Sequence, residues 1–237
     1  MRDWTKIKVS SDGTCFVGYD GDERPMFDRG FIEVLKFHHP GLAAVLDLSG
    51  AYHIDAQGRD LYSQRYMRTF GYYFDRAAVV QQSYWFHIRP DGSRAYPSDF
   101  NWVGNFQENL CTVRTANNEY YHIDMLGNKQ YEQRYIYAGD FKDGHACVCD
   151  REGYYHHIDI NGYRLHDKEF LDLGIYHKSV ATARDKSGWF HIDKKGEQLY
   201  PNRYLQVEPY YNGQARVTTP DGNHVIINES GDILLQL

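Results

Sequence analysis

The sequence predicts an all-β fold of seven repeats, each a β-hairpin unit of roughly 34 residues. The first observation behind this prediction is a His-Ile core that recurs at nearly constant spacing. Its histidines are His53, His87, His122, His157 and His191. The steps between them are 34, 35, 35 and 34 residues. A fixed period in this range indicates one supersecondary unit copied along the chain.

The second observation is that glycine and aromatic residues recur in register with the histidines. The glycine column holds Gly21, Gly58, Gly92, Gly127, Gly162, Gly196 and Gly231. The first ring column holds Tyr62, Tyr96, Tyr131, His166 and Tyr200. The second ring column holds Tyr66, Phe100, Tyr135, Phe170 and Tyr204. The third ring column holds Tyr72, Phe106, Phe141, Tyr176 and Tyr210. Two weaker copies flank the five clear ones, and the units lie near 1–21, 22–58, 59–92, 93–127, 128–162, 163–196 and 197–237.

The third observation is the alternation of apolar and polar residues within each unit. Segments such as 190–193 and 215–218 place an apolar residue at every second position, which is the period of a strand. Turn dipeptides such as Asp221-Gly222 separate these strands. The glycine column marks a second turn, so a third short strand is expected after it, for example over 128–131 and 197–200. No stretch shows a sustained helical stripe.

A unit of about three short strands cannot bury a core by itself, so the units must stack or close into a ring. Two architectures satisfy this requirement, a β-propeller and an open β-solenoid. Seven units lie within the usual propeller range, which favours a seven-bladed propeller. The weaker end units keep the solenoid as the alternative, because solenoids need atypical caps. The continuous repeat predicts one domain over residues 1–237.

Composition excludes several classes of function. The net charge of −6 and the scattered basic residues argue against a nucleic-acid partner. The sequence shows no signal peptide and no apolar run long enough to span a bilayer, so no membrane partner is expected. The four cysteines form no extracellular framework, and Cys147 and Cys149 make a weak metal pair. These features predict a protein of the reducing cytoplasm.

One unit carries a resemblance to a known family. Residues 188–197 read Gly-Trp-Phe-His-Ile-Asp-Lys-Lys-Gly-Glu, and Tyr200-Pro201, Arg203-Tyr204 and the Gly-Gln-Ala-Arg-Val strand at 213–217 follow. This unit resembles the bacterial WG-containing repeat, and the similarity extends through the copies over almost the whole chain. His stands before Ile where the family carries an aromatic residue, and no Trp-Gly dipeptide occurs. The resemblance implies a bacterial repeat module, often part of a larger protein, and it transfers no catalytic residues.

The recurring His-Ile-Asp core has two interpretations. Equivalent histidines could ring an axis and ligate a metal, since imidazole is the commonest metal ligand. Phe16 and Ile226 occupy the same column and cannot ligate anything, so a packed position is favoured, with each imidazole meeting a backbone or Asp partner. The Asp that follows Ile, as in Asp55, is expected to cap the turn at the glycine column. The Arg of Arg65-Tyr66 and its equivalents is expected to pair with such an Asp or to stack on the Tyr.

Function is expected where the copies differ from one another. The connectors after the third ring column vary, and varied loops of repeat proteins form binding faces. Aromatic rings outside the connectors are added to the connector residues as candidates. The candidate binding residues are His38, His39, Tyr73, Trp102, Tyr137, Tyr176, His177 and Tyr211. No nucleophile elbow, phosphate loop or zinc spacing occurs, so catalytic residues, cofactors and metals are not assigned.

Three hypotheses of function follow from these features. The favoured one is a non-catalytic scaffold module that binds a protein partner. The second is a lectin-like propeller that binds carbohydrate on exposed rings such as Trp85 and Trp102. The third is an accessory or catalytic domain with a histidine-containing rim site.

Overall fold

The computed structural model describes residues 2–18 and 24–237, so Gly21 of the glycine column lies outside the described part of the chain. The described residues form seven small antiparallel sheets and contain no α-helix, which confirms the all-β prediction. A single 3₁₀ turn spans Trp4–Lys6. Within these residues no helix is long and apolar enough to cross a membrane. Two compact units are present, one of 1–118 with 123–128 and one of 119–122 with 129–237.

The sheets follow one another along the chain and consist of neighbouring strands. The first pairs β1 (Ile7–Val9) with β2 (Phe16–Gly18). The second holds β3 (Glu33–Val34), β4 (Leu42–Asp47) and β5 (Gly50–Asp55). The third holds β6 (Arg68–Tyr73), β7 (Arg76–Gln81) and β8 (Tyr84–Ile88), and the fourth holds β9 (Trp102–Val103), β10 (Leu110–Arg114) and β11 (Tyr120–Asp124). The fifth holds β12 (Tyr137–Ala138), β13 (His145–Cys149) and β14 (Tyr155–Asp159), and the sixth holds β15 (Asp172–Leu173), β16 (Ala181–Asp185) and β17 (Gly188–Ile192). The seventh holds β18 (Gln206–Val207), β19 (Gln214–Thr218), β20 (His224–Asn228) and β21 (Ile233–Gln236).

The predicted third strand of each unit is wrong for most copies. After the glycine turn, the chain touches its sheet only at isolated bridges, for example Ile54↔Asp60 and Ala51↔Tyr66. Between these two bridges the chain brings the first ring of the copy towards the buried histidine, so the ladder is interrupted there. Among the residues that the structure describes, a continuous strand forms at this place only in the last copy, as β21.

The histidine column is a packed column with a backbone partner, as the sequence indicated. The five column histidines are at most 1% exposed. Nε2 of His53 lies 2.7 Å from the Phe70 carbonyl oxygen, and Nδ1 lies 2.5 Å from the Tyr62 hydroxyl. Since a carbonyl can only accept, Nε2 carries the proton and the tyrosine hydroxyl donates to Nδ1. The backbone alternative of the prediction is therefore confirmed, and the second nitrogen meets the first ring that follows the histidine in the chain rather than an Asp.

Each of these histidines also connects two successive sheets. The carbonyl acceptors lie in or just after the first strand of the following sheet, and they belong to Phe70, Gly104, Gly139, Gly174 and Glu208. The third ring of the following copy lies against the imidazole, with ring centroids 4.4 Å apart for His53 and Tyr72. Phe16 meets Phe37 in the same way at 4.8 Å. The column therefore ties each copy to the next.

The glycine column makes a contact between the turns that follow two successive sheets. A Cβ placed on Gly162, whose φ is +81°, would lie 2.7 Å from Cγ of Tyr131. A Cβ on Gly92 would lie 2.6 Å from Cγ of Tyr62. Glycine is therefore required both by the positive φ of the turn and by the ring after the preceding sheet that lies against it.

The Asp and Arg columns have structural roles. Oδ1 of Asp55 accepts the backbone N–H groups of Gln57 and Arg59, at 2.9 and 3.0 Å, which confirms that this Asp caps the glycine turn. The guanidinium carbon of Arg65 lies 3.7 Å from the centroid of the Tyr52 ring, so this arginine stacks on a ring of the third strand and not on the adjacent Tyr66. Both columns hold the repeat together.

Candidate functional site

The variable connectors are tight hairpin turns between the first and second strands of a sheet. Tyr73, His177 and Tyr211 each precede two residues of positive φ, a pattern typical of a two-residue type I′ turn. His38 bridges Leu42 in a connector that is one residue longer. Four of the predicted binding residues thus stand at equivalent hairpins, with loops of two or three residues.

The predicted residues at these hairpins differ in exposure. His38 is half-buried, and its ring lies 5.2 Å from that of Tyr73, so the structure brings these two together. His39 is exposed beside it. Tyr211 is 76% exposed.

Tyr176 belongs to the core rather than to a surface site. It is buried, and its ring lies 4.0 Å from that of His157. Its hydroxyl donates to the Asp193 carbonyl at 3.2 Å. Of the two binding residues predicted in that connector, only the half-buried His177 therefore lies at the surface.

Trp102 and Tyr137 lie at the opposite end of their sheets. Each is the first residue of its sheet's first strand, far from the hairpin. The Tyr137 ring lies 6.3 Å from Tyr120 and 6.2 Å from Tyr155, in a short aromatic cluster. Trp85 is stacked on Phe70 at 5.3 Å, so one face of this ring is covered.

The structure shows clefts at this second end, which the sequence reading missed. One cavity of about 140 Å³ lies between the second sheet and β6, and its lining includes Leu35, Ala44, Met67 and Phe70. Another of about 410 Å³ lies beside Leu171, Trp189 and Leu205. We call the end of each sheet that carries the turn between its second and third strands the cleft end.

Exposed apolar residues recur at the cleft end. They stand directly after the second ring column, and we call them the apolar row: Ile32, Met67, Ile136 and Leu205, which are 54, 60, 49 and 59% exposed. The backbone fixes their direction, since each N–H donates to a carbonyl of the second strand, as Met67 does to Val80 at 2.9 Å. The signal was present in the sequence as an apolar residue after most second rings, although Asn101 follows Phe100. Alternation alone does not show which of these apolar residues remain exposed.

The fifth sheet contains the largest departures from the repeat. His156 stands where Tyr52, Phe86 and Phe190 stand in other copies, and Glu169 stands in the Arg65 column. Nε2 of His156 lies 2.6 Å from Oδ2 of Asp150. Asp150, His156 and Glu169 place one potential ligand atom each within 4.8 Å of one another.

The same sheet breaks the histidine–tyrosine pairing. His166 replaces tyrosine in the first ring column, and neither of its ring nitrogens has a hydrogen-bond partner within the described chain. Nδ1 of His157 is likewise without a partner among these residues. Burial lowers the pKa of His157 to about 4, so this imidazole is neutral near pH 7.

Replacing His166 by tyrosine is expected to stabilise the protein. The new hydroxyl would reach Nδ1 of His157, as Tyr131 reaches His122, and a satisfied buried hydrogen bond contributes about 1 kcal/mol. Chemical denaturation of H166Y measures the gain, and H166F supplies the ring without the hydroxyl. Equal stability of the two variants would contradict the assignment of the hydrogen bond.

The buried thiols are structural. Burial raises the pKa of Cys147 to about 12, and its Sγ donates to the Leu173 carbonyl at 3.2 Å. Cys111 is 1% exposed, as its place in the small-residue column predicted. A protonated buried thiol is neither a nucleophile nor a ready metal ligand.

Comparison with known proteins supports the fold. No family model and no curated protein matches the chain, so the WG-repeat resemblance stays a prediction. A eukaryotic initiation factor gives a TM-score of 0.59 at 10% identity, covering 97% of this chain and 72% of that one. BamB from Moraxella catarrhalis gives 0.52 at 14%, covering 98% and 81%. The Kluyveromyces lactis Hsv2 with loop 6CD replaced gives 0.51 at 11%, covering 94% and 88%. BamB and Hsv2 are β-propellers, and the chain accordingly has a propeller-like fold.

Proposed function

We propose that this chain is a non-catalytic interaction module that binds a protein partner through the cleft ends of its sheets. The observation that carries the proposal is the apolar row, whose members recur at equivalent backbone positions and stay exposed. Single exposed apolar residues are ordinary, but apolar residues repeated beside clefts are typical of a binding face.

The cleft beside Met67 fits the insertion of an apolar side chain. Its walls come from Leu35, Ala44 and Phe70, and its volume of about 140 Å³ is comparable with one aliphatic side chain. Glu33 and Arg68 flank the mouth as an ion pair at 3.9 Å. An apolar floor with a polar rim is the usual composition of a protein-binding surface.

Substitution of Met67 by glutamate is expected to weaken partner binding by about tenfold or more, because a charge buried in an apolar interface loses its hydration. The partner is identified by a photo-crosslinking amino acid at position 67 in an extract of the native host. M67E and L205E are then compared with Y211E, which places the same charge at the opposite end of a sheet.

The result expected is a protein crosslinked from position 67 whose affinity falls in M67E and L205E but not in Y211E. Loss of binding in Y211E alone would place the interface at the hairpins instead. Turnover of a substrate by the purified chain would overturn the non-catalytic assignment.

A further inference from the structure

Two positions of the fifth sheet differ from the repeat together. In other copies an arginine stacks on an aromatic ring, with Arg65 over Tyr52 at 3.7 Å and Arg203 over Phe190 at 3.7 Å. Here His156 takes the place of the ring and Glu169 takes the place of the arginine. The copy with Phe86 also has an acid in the arginine column, Asp99, and there Arg94 stacks on the ring at 3.9 Å. The imidazole is therefore the departure found in the fifth sheet alone among the copies with Tyr52, Phe86 and Phe190, and it brings a metal-ligating nitrogen close to a carboxylate.

Asp150 completes this group and is already held in place. Its Oδ1 accepts the backbone N–H groups of Glu152 and Tyr154, at 3.1 and 2.9 Å, across the turn between β13 and β14. Its Oδ2 points to Nε2 of His156 at 2.6 Å. The turn therefore fixes one carboxylate oxygen and leaves the other facing the imidazole.

His156 is buried without a full set of partners. It is 1% exposed, and its Nδ1 has no hydrogen-bond partner in the described part of the chain. A structural ring at this place needs no polar atoms, as Phe86 and Phe190 show. An imidazole costs desolvation there that a phenyl ring does not, and its Nε2 faces the Asp150 carboxylate. That Nδ1 is buried also excludes the Asp150–His156 pair as a general base for an outside substrate.

The charge between the two carboxylates is supplied by Arg164. Its guanidinium lies 3.2 Å from Asp150 and 3.5 Å from Glu169. Burial opposes ionisation of Asp150, but the hydrogen bonds from His156 and Tyr154 and the charge of Arg164 lower its pKa overall. The Arg164 side chain is 44% exposed, so it can leave the carboxylates for solvent.

We propose that Asp150, His156 and Glu169 form a binding site for a divalent transition-metal cation such as Zn²⁺, which takes the place of the Arg164 guanidinium. One imidazole nitrogen with two carboxylates suits Zn²⁺ rather than Ca²⁺ or Mg²⁺, which prefer all-oxygen sites. The three ligand atoms lie within 4.8 Å of one another. Ligands of tetrahedral zinc stand roughly 3.3 Å apart, so side-chain shifts of about 1 Å close the site.

Binding requires one proton to move. His156 now donates from Nε2 to Asp150, and a metal needs the lone pair of Nε2. The proton passes to Nδ1, which is unoccupied by any partner among the described residues. The neutral imidazole is kept, and no proton is released from it.

The test is titration of the full-length chain with Zn²⁺ by calorimetry and with Co²⁺ by visible absorption. H156F restores the ring that other copies carry, so it is expected to fold. Loss of this ligand is expected to weaken Zn²⁺ binding by at least about 100-fold, the upper effect of losing an outer-shell partner. H224A removes an exposed histidine and is the matched control, with unchanged affinity expected.

The variant R164A distinguishes Zn²⁺ binding at this site from nonspecific Zn²⁺ binding elsewhere on the surface. Removal of the competing guanidinium is expected to raise the Zn²⁺ affinity several-fold, since the carboxylates then lack a cation. Equal Zn²⁺ affinity in the wild type, H156F and H224A would overturn the proposal. Unchanged affinity in R164A would contradict the exchange of cations. Each variant is checked for its far-ultraviolet circular dichroism, so a misfolded chain is recognised.

Discussion

Lowering the pH from 6.5 to 4 is expected to unfold the protein. Burial lowers the pKa of His53, His87, His122 and His157 from 6.5 to about 4. Between these values the unfolded chain binds protons that the folded chain excludes, so stability is lost as the pH falls. Each histidine contributes roughly 3 kcal/mol of this loss. Four together are comparable with the whole stability of a domain, about 5–15 kcal/mol.

The measurement is the free energy of unfolding from denaturant titrations at a series of pH values. The double variant H87F/Y96F removes one imidazole with its hydroxyl partner. The slope of its unfolding free energy against pH is expected to correspond to about one proton fewer taken up on unfolding. The turn-capping Asp55 acts in a different window. Burial raises its pKa but the turn's hydrogen bonds lower it overall, so its contribution is lost only below about 3.8. A flat stability between pH 6.5 and 4 would show that the imidazoles are not excluded from protonation.

The substitution G162A is expected to destabilise the protein by roughly 2–5 kcal/mol. A Cβ in the positive-φ region costs about 1–2 kcal/mol for any residue other than glycine. The same Cβ would lie 2.7 Å from Cγ of the buried Tyr131 ring, and overpacking adds about 1–3 kcal/mol. Thermal and denaturant unfolding measure the combined effect.

G153A is the matched control for this prediction. Gly153 has a φ of +88°, close to that of Gly162, but a Cβ there would meet no atom within 4 Å. Its expected cost is therefore the backbone contribution alone, about 1–2 kcal/mol. If the two variants lost the same free energy of unfolding, the Tyr131 ring would move aside freely and would not hold the two successive turns together.

The sequence allowed the architecture to be predicted because the repeat records which positions are buried. Phe16 and Ile226 correctly indicated that the histidine column is packed, and the Asp column correctly indicated turn capping. The pairing of His53 with Tyr62 was not predictable, because nine residues and an irregular segment separate the two rings. Periodicity describes strands and does not describe where an irregular segment directs its side chain.

The binding residues predicted at the connectors stay predictions. The variability of the connectors indicated His38, His177 and Tyr211, and the structure places these three residues at short hairpins. The apolar row could not be predicted, because an apolar residue at the start of a strand is typical of the core until the neighbouring sheet is known. His156 could have been predicted from the sequence, because a histidine in an aromatic column is a visible departure even beside the recurring His157.

The bond from each column histidine to the following sheet ends on a backbone oxygen. The residues that supply this oxygen are as different as Phe70, Gly104 and Glu208. Any amino acid offers the same acceptor, so mutation on that side leaves the connection intact. The residue that supplies the acceptor can therefore change from copy to copy without loss of this hydrogen bond. The architecture can therefore outlast much of the sequence similarity by which related chains are normally detected.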